Sequence, residues 1–126
     1  MYLFSMGVAV LASLAIIVVG VTYIVAPRAA STGFGLPLPE AGPHIRWWLS
    51  LKGVRDIVSG LVLLALVAWA SPLMVGIVLL VAAMTPVGDM AIVLAAKGSA
   101  KHAFGMHGVT AAVMIAGAMP LVLRMA

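Results

Sequence analysis

From Met1 to Ala26 there is not one charged side chain, and charge is missing again from Ile57 through Gly88. A helix rises about 1.5 Å per residue, so roughly 20 apolar residues cross a hydrocarbon core of about 30 Å. Stretches of that length lie at Met1 to Ala26, His44 to Ala70, Pro72 to Ala96 and Lys101 to Met125, and they account for nearly the whole chain. With 65% hydrophobic and 8% charged residues, a water-soluble domain of this size could not hide its apolar surface in its own core. The expected fold is all-α: a four-transmembrane-helix antiparallel bundle, one domain over residues 1–126, with the lipid bilayer as its solvent.

Met1 to Ala26 has no basic leading region and is longer than a signal-peptide core, so it reads as a retained first helix. Pro27 ends that span, and a Gly/Pro-rich stretch from Ser31 to Pro43 makes the only long connection. Ser71-Pro72 reads as a tight turn opening a new helix, and Gly98 as the cap that closes the third. Short connections of this kind favour antiparallel neighbours. In the second span, Trp47 and Trp48 stand about 22 residues from Trp69, which at helical rise is about 33 Å, the separation of two interfacial aromatic belts.

The net charge of +4 comes from scattered bases rather than a basic face, which argues against nucleic acid as a partner. Arg28 and Arg46 flank the first loop and Lys97 and Lys101 the third. By the positive-inside rule both loops are cytoplasmic and both termini face outward, with Arg124 the one dissenting charge.

Alternating helices bring one set of polar residues to a single side of the bundle. Tyr23 ends the first span; Lys52, Arg55, Asp56 and Ser59 lie in the first half of the second; Thr85 and Asp89 lie in the second half of the third; His107 is early in the fourth. An ionisable group at mid-helix costs about 2.5–3.5 kcal/mol on insertion scales and therefore faces a bundle interior or a wet cavity. Lys52, Asp56, Ser59 and Gly60 share one helical face, and Arg55 sits about 100° round from Asp56. On this reading Arg55 pairs with Asp89, while Asp56 is met by Lys52, His107 or Tyr23. Pro86 removes a backbone hydrogen bond beside Thr85 and Asp89, so a kink that opens space there is expected.

No metal site is expected. Copper would have to be held by His102, Met106 and His107 without a second cluster, and haem would want a facing pair of axial histidines where only His107 is placed. No cofactor is implied either, for the chain has neither a phosphate-binding glycine loop nor a nucleophile elbow.

Tyr23, Pro27, Ala30, Phe34-Gly35 and Pro37, then Lys52-Gly53 with Arg55-Asp56 and Gly60, then Pro86 with Gly88-Asp89, then His107-Gly108 form a pattern. It resembles a family of small four-helix membrane proteins of bacteria and fungi, catalogued as domain of unknown function 4267. The pattern KGxRDxxxG, Lys52 to Gly60, is the most specific part of a resemblance that covers nearly the whole chain. The resemblance implies the architecture and the importance of these positions, in a multi-pass protein of the plasma membrane or bacterial inner membrane.

The convergence of polar groups leads to an expected membrane-embedded enzyme or binding protein with a one-sided pocket for a hydrophobic small molecule. Its chemistry would be a cofactor-free isomerisation or cyclisation. Asp56 and Asp89 are the candidate acid and base, His107 a proton shuttle, and Arg55 the stabiliser of developing negative charge. Tyr23, Lys52, Ser59, Thr85 and Trp48 are the candidate substrate-binding residues. Two alternatives stand beside it: a small transporter or channel subunit, a possible homo-oligomer, using Asp/Arg/His as a proton relay, and a membrane assembly factor. The outer halves of the spans hold no ionisable group until Arg124, so no polar path crosses the membrane, which favours a one-sided pocket.

Overall fold

A computed structural model describes residues 1–124, which form helices α1 (Tyr2–Val25), α2 (Pro27–Phe34), α3 (Ile45–Trp69), α4 (Pro72–Ala95) and α5 (Ala100–Val122), with no strand among them. The expected end of the last span at Met125 lies outside the described residues. Three helices, α1, α4 and α5, are long and apolar enough to cross a membrane, rather than the four expected. The exception is α3, which matches them in length but carries Arg46, Lys52, Arg55 and Asp56. The spans are those of a multi-pass membrane protein.

Glycines decide which helices meet. A Cβ added to Gly20 of α1 would lie 2.5 Å from the carbonyl oxygen of Gly53 on α3, and one added to Gly60 would lie 2.6 Å from that of Ser13. The two helices therefore cross backbone to backbone, antiparallel, along a ridge of small residues that lets them approach closely. Gly76 of α4 meets Leu121 and Ala118 of α5, and Gly117 of α5 meets Val8 of α1. The resulting order around the bundle is α3, α1, α5, α4. Although joined by the tight turn at Ser71, where the hydroxyl caps Met74 N–H at 3.4 Å, α3 and α4 touch only lightly. The shortest connection thus leaves an open seam. The core, with Val75, Leu79, Ala9, Ala118 and Leu121 at most 2% exposed, fills the half of the bundle away from the polar residues.

Two local expectations change. The stretch after Pro27 is helical through Phe34, because Pro27 occupies a first-turn position and Gly35 takes the left-handed conformation that stops it (φ 97°). The end of α4 is closed by Lys97 in the left-handed region (φ 53°), with Gly98 N–H donating to Val93 O at 2.8 Å and Lys97 N–H to Leu94 O at 3.0 Å. This is a Schellman closure. Gly98 serves a different need: a Cβ there would run into the carbonyl oxygen of Gly35. The contact is sealed by Ser99 N–H donating to Gly35 O at 2.8 Å, which docks the end of α2 on the turn between α4 and α5. Through Pro86, α4 runs unbroken.

Candidate functional site

The docked end of α2 is what orders the polar half of the bundle. Over Ala103–Gly108, α5 widens into a π-helical turn, a feature frequent at functional sites. That turn buries His107, leaving it 6% exposed, with Nε2 2.8 Å from the carbonyl oxygen of Phe34. The two rings also stack, centroids 4.6 Å apart and tilted by 54°. A carbonyl oxygen only accepts, so Nε2 carries a hydrogen and donates. Nδ1 is left as the atom through which the ring gains or loses its other proton. It faces Asp89 Oδ2 of α4 at 3.9 Å, an electrostatic contact longer than a hydrogen bond.

On α3, Lys52 Nζ donates to Asp56 Oδ2 at 2.6 Å, one helical turn away. The same ammonium lies over the ring of Tyr23, 4.5 Å from its centroid, and 5.5 Å from that of Phe34. Three favourable contacts hold it: one ion pair and two cation–π approaches. Tyr23 is only 3% exposed and acts as the floor beneath Lys52.

Between α3 and α4 this arrangement leaves a groove of about 260 Å³ lined by Trp48, Leu51, Lys52, Arg55, Asp56, Thr85 and Asp89. The α3 members repeat at three- and four-residue intervals and make one stripe, opposite Thr85 and Asp89 one turn apart on α4. Of the residues singled out from the sequence, Trp48, Lys52, Arg55, Asp56, Thr85 and Asp89 therefore meet at one surface. Tyr23 and His107 lie behind it. Ser59 is exposed, does not line the groove, and donates to the carbonyl oxygen of Arg55 at 2.8 Å.

The expected Arg55–Asp89 pair is not made. Asp89 is approached by His107 instead, because α3 and α4 splay apart at the seam while α4 and α5 pack closely. Among the described residues the Arg55 guanidinium has neither an ion-pair nor a hydrogen-bond partner. His102, one of the copper candidates, turns its Nδ1 to the Ser99 hydroxyl at 2.8 Å. Among the described residues no three potential metal-ligating side chains come together.

Phe34, Gly35 and Leu51 are site components without a polar side chain to announce them. Phe34 acts through its carbonyl and ring, and Gly35 through its backbone; the signal that could have found them is Pro27 and Gly35 as start and stop of a short helix. A second cleft, about 490 Å³, lies at the opposite end between Tyr2, Ser71, Pro72, Leu73, Leu121 and Arg124. Among the described residues no carboxyl group lines it.

A family profile described as Domain of unknown function (DUF4267) matches residues 13–121. The chain belongs to the DUF4267 family. Neither the curated proteins nor the solved structures contain a match to it. The matched region of this DUF4267 chain takes in every groove residue as well as the α2 end that fixes His107.

Proposed function

We propose that this chain is a four-helix multi-pass membrane protein that catalyses a cofactor-free proton transfer, an isomerisation or cyclisation, on a lipophilic small molecule in the α3–α4 groove. One observation carries the reading: Asp89 presents its carboxyl group to the groove on one side and to His107 Nδ1 on the other. A carboxyl group so placed takes a proton from a substrate carbon and returns it, or another, to a different carbon while the double bond shifts. Electrons and atoms balance without an oxidant. His107 is a positioning residue, its ring fixed by the Phe34 carbonyl so that Nδ1 faces Asp89. Asp56, held by Lys52, is the second carboxylate across the groove and the other candidate base.

In this reading α3 crosses the bilayer with its charges turned into the groove or toward the interface, where Trp47 and Trp48 stand exposed. Arg28, Arg46, Lys97 and Lys101 favour, by the positive-inside rule, a polar end in the cytoplasmic leaflet with both termini outside. The packed apolar core at the other end supports a one-sided pocket over a conduit. Ser13, a polar group buried there, donates to Ala9 O of its own helix at 2.7 Å. The open α3–α4 seam offers a lipophile a lateral route from the bilayer.

The test is exchange of solvent deuterium into lipophilic enones and polyenes incubated with the purified protein in D2O, read by mass spectrometry. Wild type is expected to exchange, and Asp89→Asn and Asp56→Asn to lose the activity while keeping helix content and melting temperature. Full exchange by both folded variants refutes the assignment. Solute uptake driven by a pH gradient into vesicles holding only this protein would replace it with transport.

A further inference from the structure

The charges around the groove are not all paired. Lys52 and Asp56 neutralise one another at 2.6 Å, and Asp89 turns to His107 Nδ1 at 3.9 Å rather than to Arg55. Arg55 is left over: exposed, on the groove-facing stripe, and without a partner for its guanidinium among the described residues. It sits seven residues beyond Trp48, or about 10 Å deeper along the helix than the aromatic belt. An unpaired guanidinium at such depth is costly, and a ligand anion would offset that cost.

We infer that the occupant of this groove is a single-chain amphiphile whose head is a carboxylate held by Arg55, which deepens the proton-transfer reading and rests on its assignment of the groove as the substrate site. The planar fork of arginine matches a carboxylate with two parallel hydrogen bonds. With Asp56 and Asp89 lining the same groove, a head of one negative charge meets less repulsion than a dianion such as a phosphate monoester. The groove, about 260 Å³, is below the roughly 300–1,000 Å³ of pockets that enclose a whole drug-sized ligand. It takes a head and the first carbons, and the rest of the chain must leave. The seam provides the path: Val62, two turns beyond Arg55 on α3, is 51% exposed, and Val81, one turn from Thr85 on α4, is 60% exposed. Asp89 lines the same groove, so the head and the carboxyl group that would move the proton share one surface.

Dodecanoate and dodecanol differ in the head alone, so their binding to the purified protein in phosphatidylcholine nanodiscs, measured by native mass spectrometry, isolates it. Dodecanoate is expected to bind about 10–100-fold more tightly, the worth of a charge-assisted hydrogen-bond pair. The preference should vanish in Arg55→Gln and persist in part in Arg55→Lys, with Gly7→Ala, remote from the groove, as an unaffected control. Equal binding of acid and alcohol overturns the inference, as does an Arg55→Gln variant that still prefers the acid. Displacement of dodecanoate by phosphatidylglycerol at equal concentration overturns it too, by assigning Arg55 to a bilayer headgroup. Failure of the proton-transfer reading is distinguishable: dodecanoate would still bind through Arg55, while no lipophile exchanged deuterium.

Discussion

Replacing Gly53 by alanine adds one methyl group where α1 and α3 cross. The added carbon would stand 2.5 Å from the Gly20 carbonyl oxygen, 2.8 Å from Ile24 Cγ1 and 3.2 Å from Tyr23 Cβ. Ile24 can rotate away, but the Gly20 carbonyl is helix backbone. Reaching ordinary contact at 3.4 Å opens the crossing by about 0.9 Å. Overpacking of this kind costs about 1–3 kcal/mol, against about 1 kcal/mol gained by exchanging glycine for alanine in a helix, so a net loss of about 1 kcal/mol is expected. At Gly7 and Gly88 an added Cβ meets nothing within 4 Å. There the same exchange should stabilise by about 0.5–1 kcal/mol. The assay is reversible unfolding in mixed micelles for the three variants, with Gly53→Val as a fourth that enlarges the clash. Opposite signs at Gly53 and at the two open positions are the expected outcome. If Gly53→Ala is as stable as Gly88→Ala, the backbone-to-backbone crossing is wrong, and with it the placement of Tyr23 beneath Lys52.

Leu79 is fully buried in the apolar half, and Leu79→Ala should lose about 2–5 kcal/mol in the same unfolding assay while leaving dodecanoate binding intact. His107→Ala leaves the Phe34 carbonyl without its donor at an expected cost of about 1–3 kcal/mol, and His107→Gln, which still carries an N–H, should recover part of it. Gly98→Ala pushes against the Gly35 carbonyl and should release the end of α2, seen as faster amide exchange of Ser99 and of the segment around Phe34, with α1, α4 and the rest of α5 unchanged.

Most of the fold was legible because a bilayer imposes a length, and long apolar runs with proline and tryptophan at their edges declare it. The polar stripe of α3 was legible too, since spacing by three and four fixes a face. Spacing on one helix does not fix the distance to the next, and the Arg55–Asp89 expectation failed there: glycines at 20, 53 and 60 draw α3 toward α1 and away from α4. The π-helical turn at His107 has no hydrophobic period to announce it. Its partner is a backbone carbonyl on a helix short enough to read as a loop, its side chains mostly small or polar. The role of Gly98 was legible only in part: its N–H does help close α4, but the left-handed position falls to Lys97, and the need for glycine came from a chain segment more than sixty residues earlier.

The bond between His107 and Phe34 joins residues separated by 73 positions, which sets an order of assembly. At about 5–20 residues per second, roughly 4–15 s of synthesis separate the two. During that interval α1 and α3 can cross and Lys52 can find Asp56, both contacts being complete within the first half of the chain. The groove then has one wall and an unanswered carbonyl. Only the last helix to emerge brings the imidazole that fixes the α2 end and meets Asp89. A ribosome stalled before α5 would leave α1, α3 and α4 with both walls of the groove but no imidazole beside Asp89. The polar cluster is therefore completed only when α5 arrives.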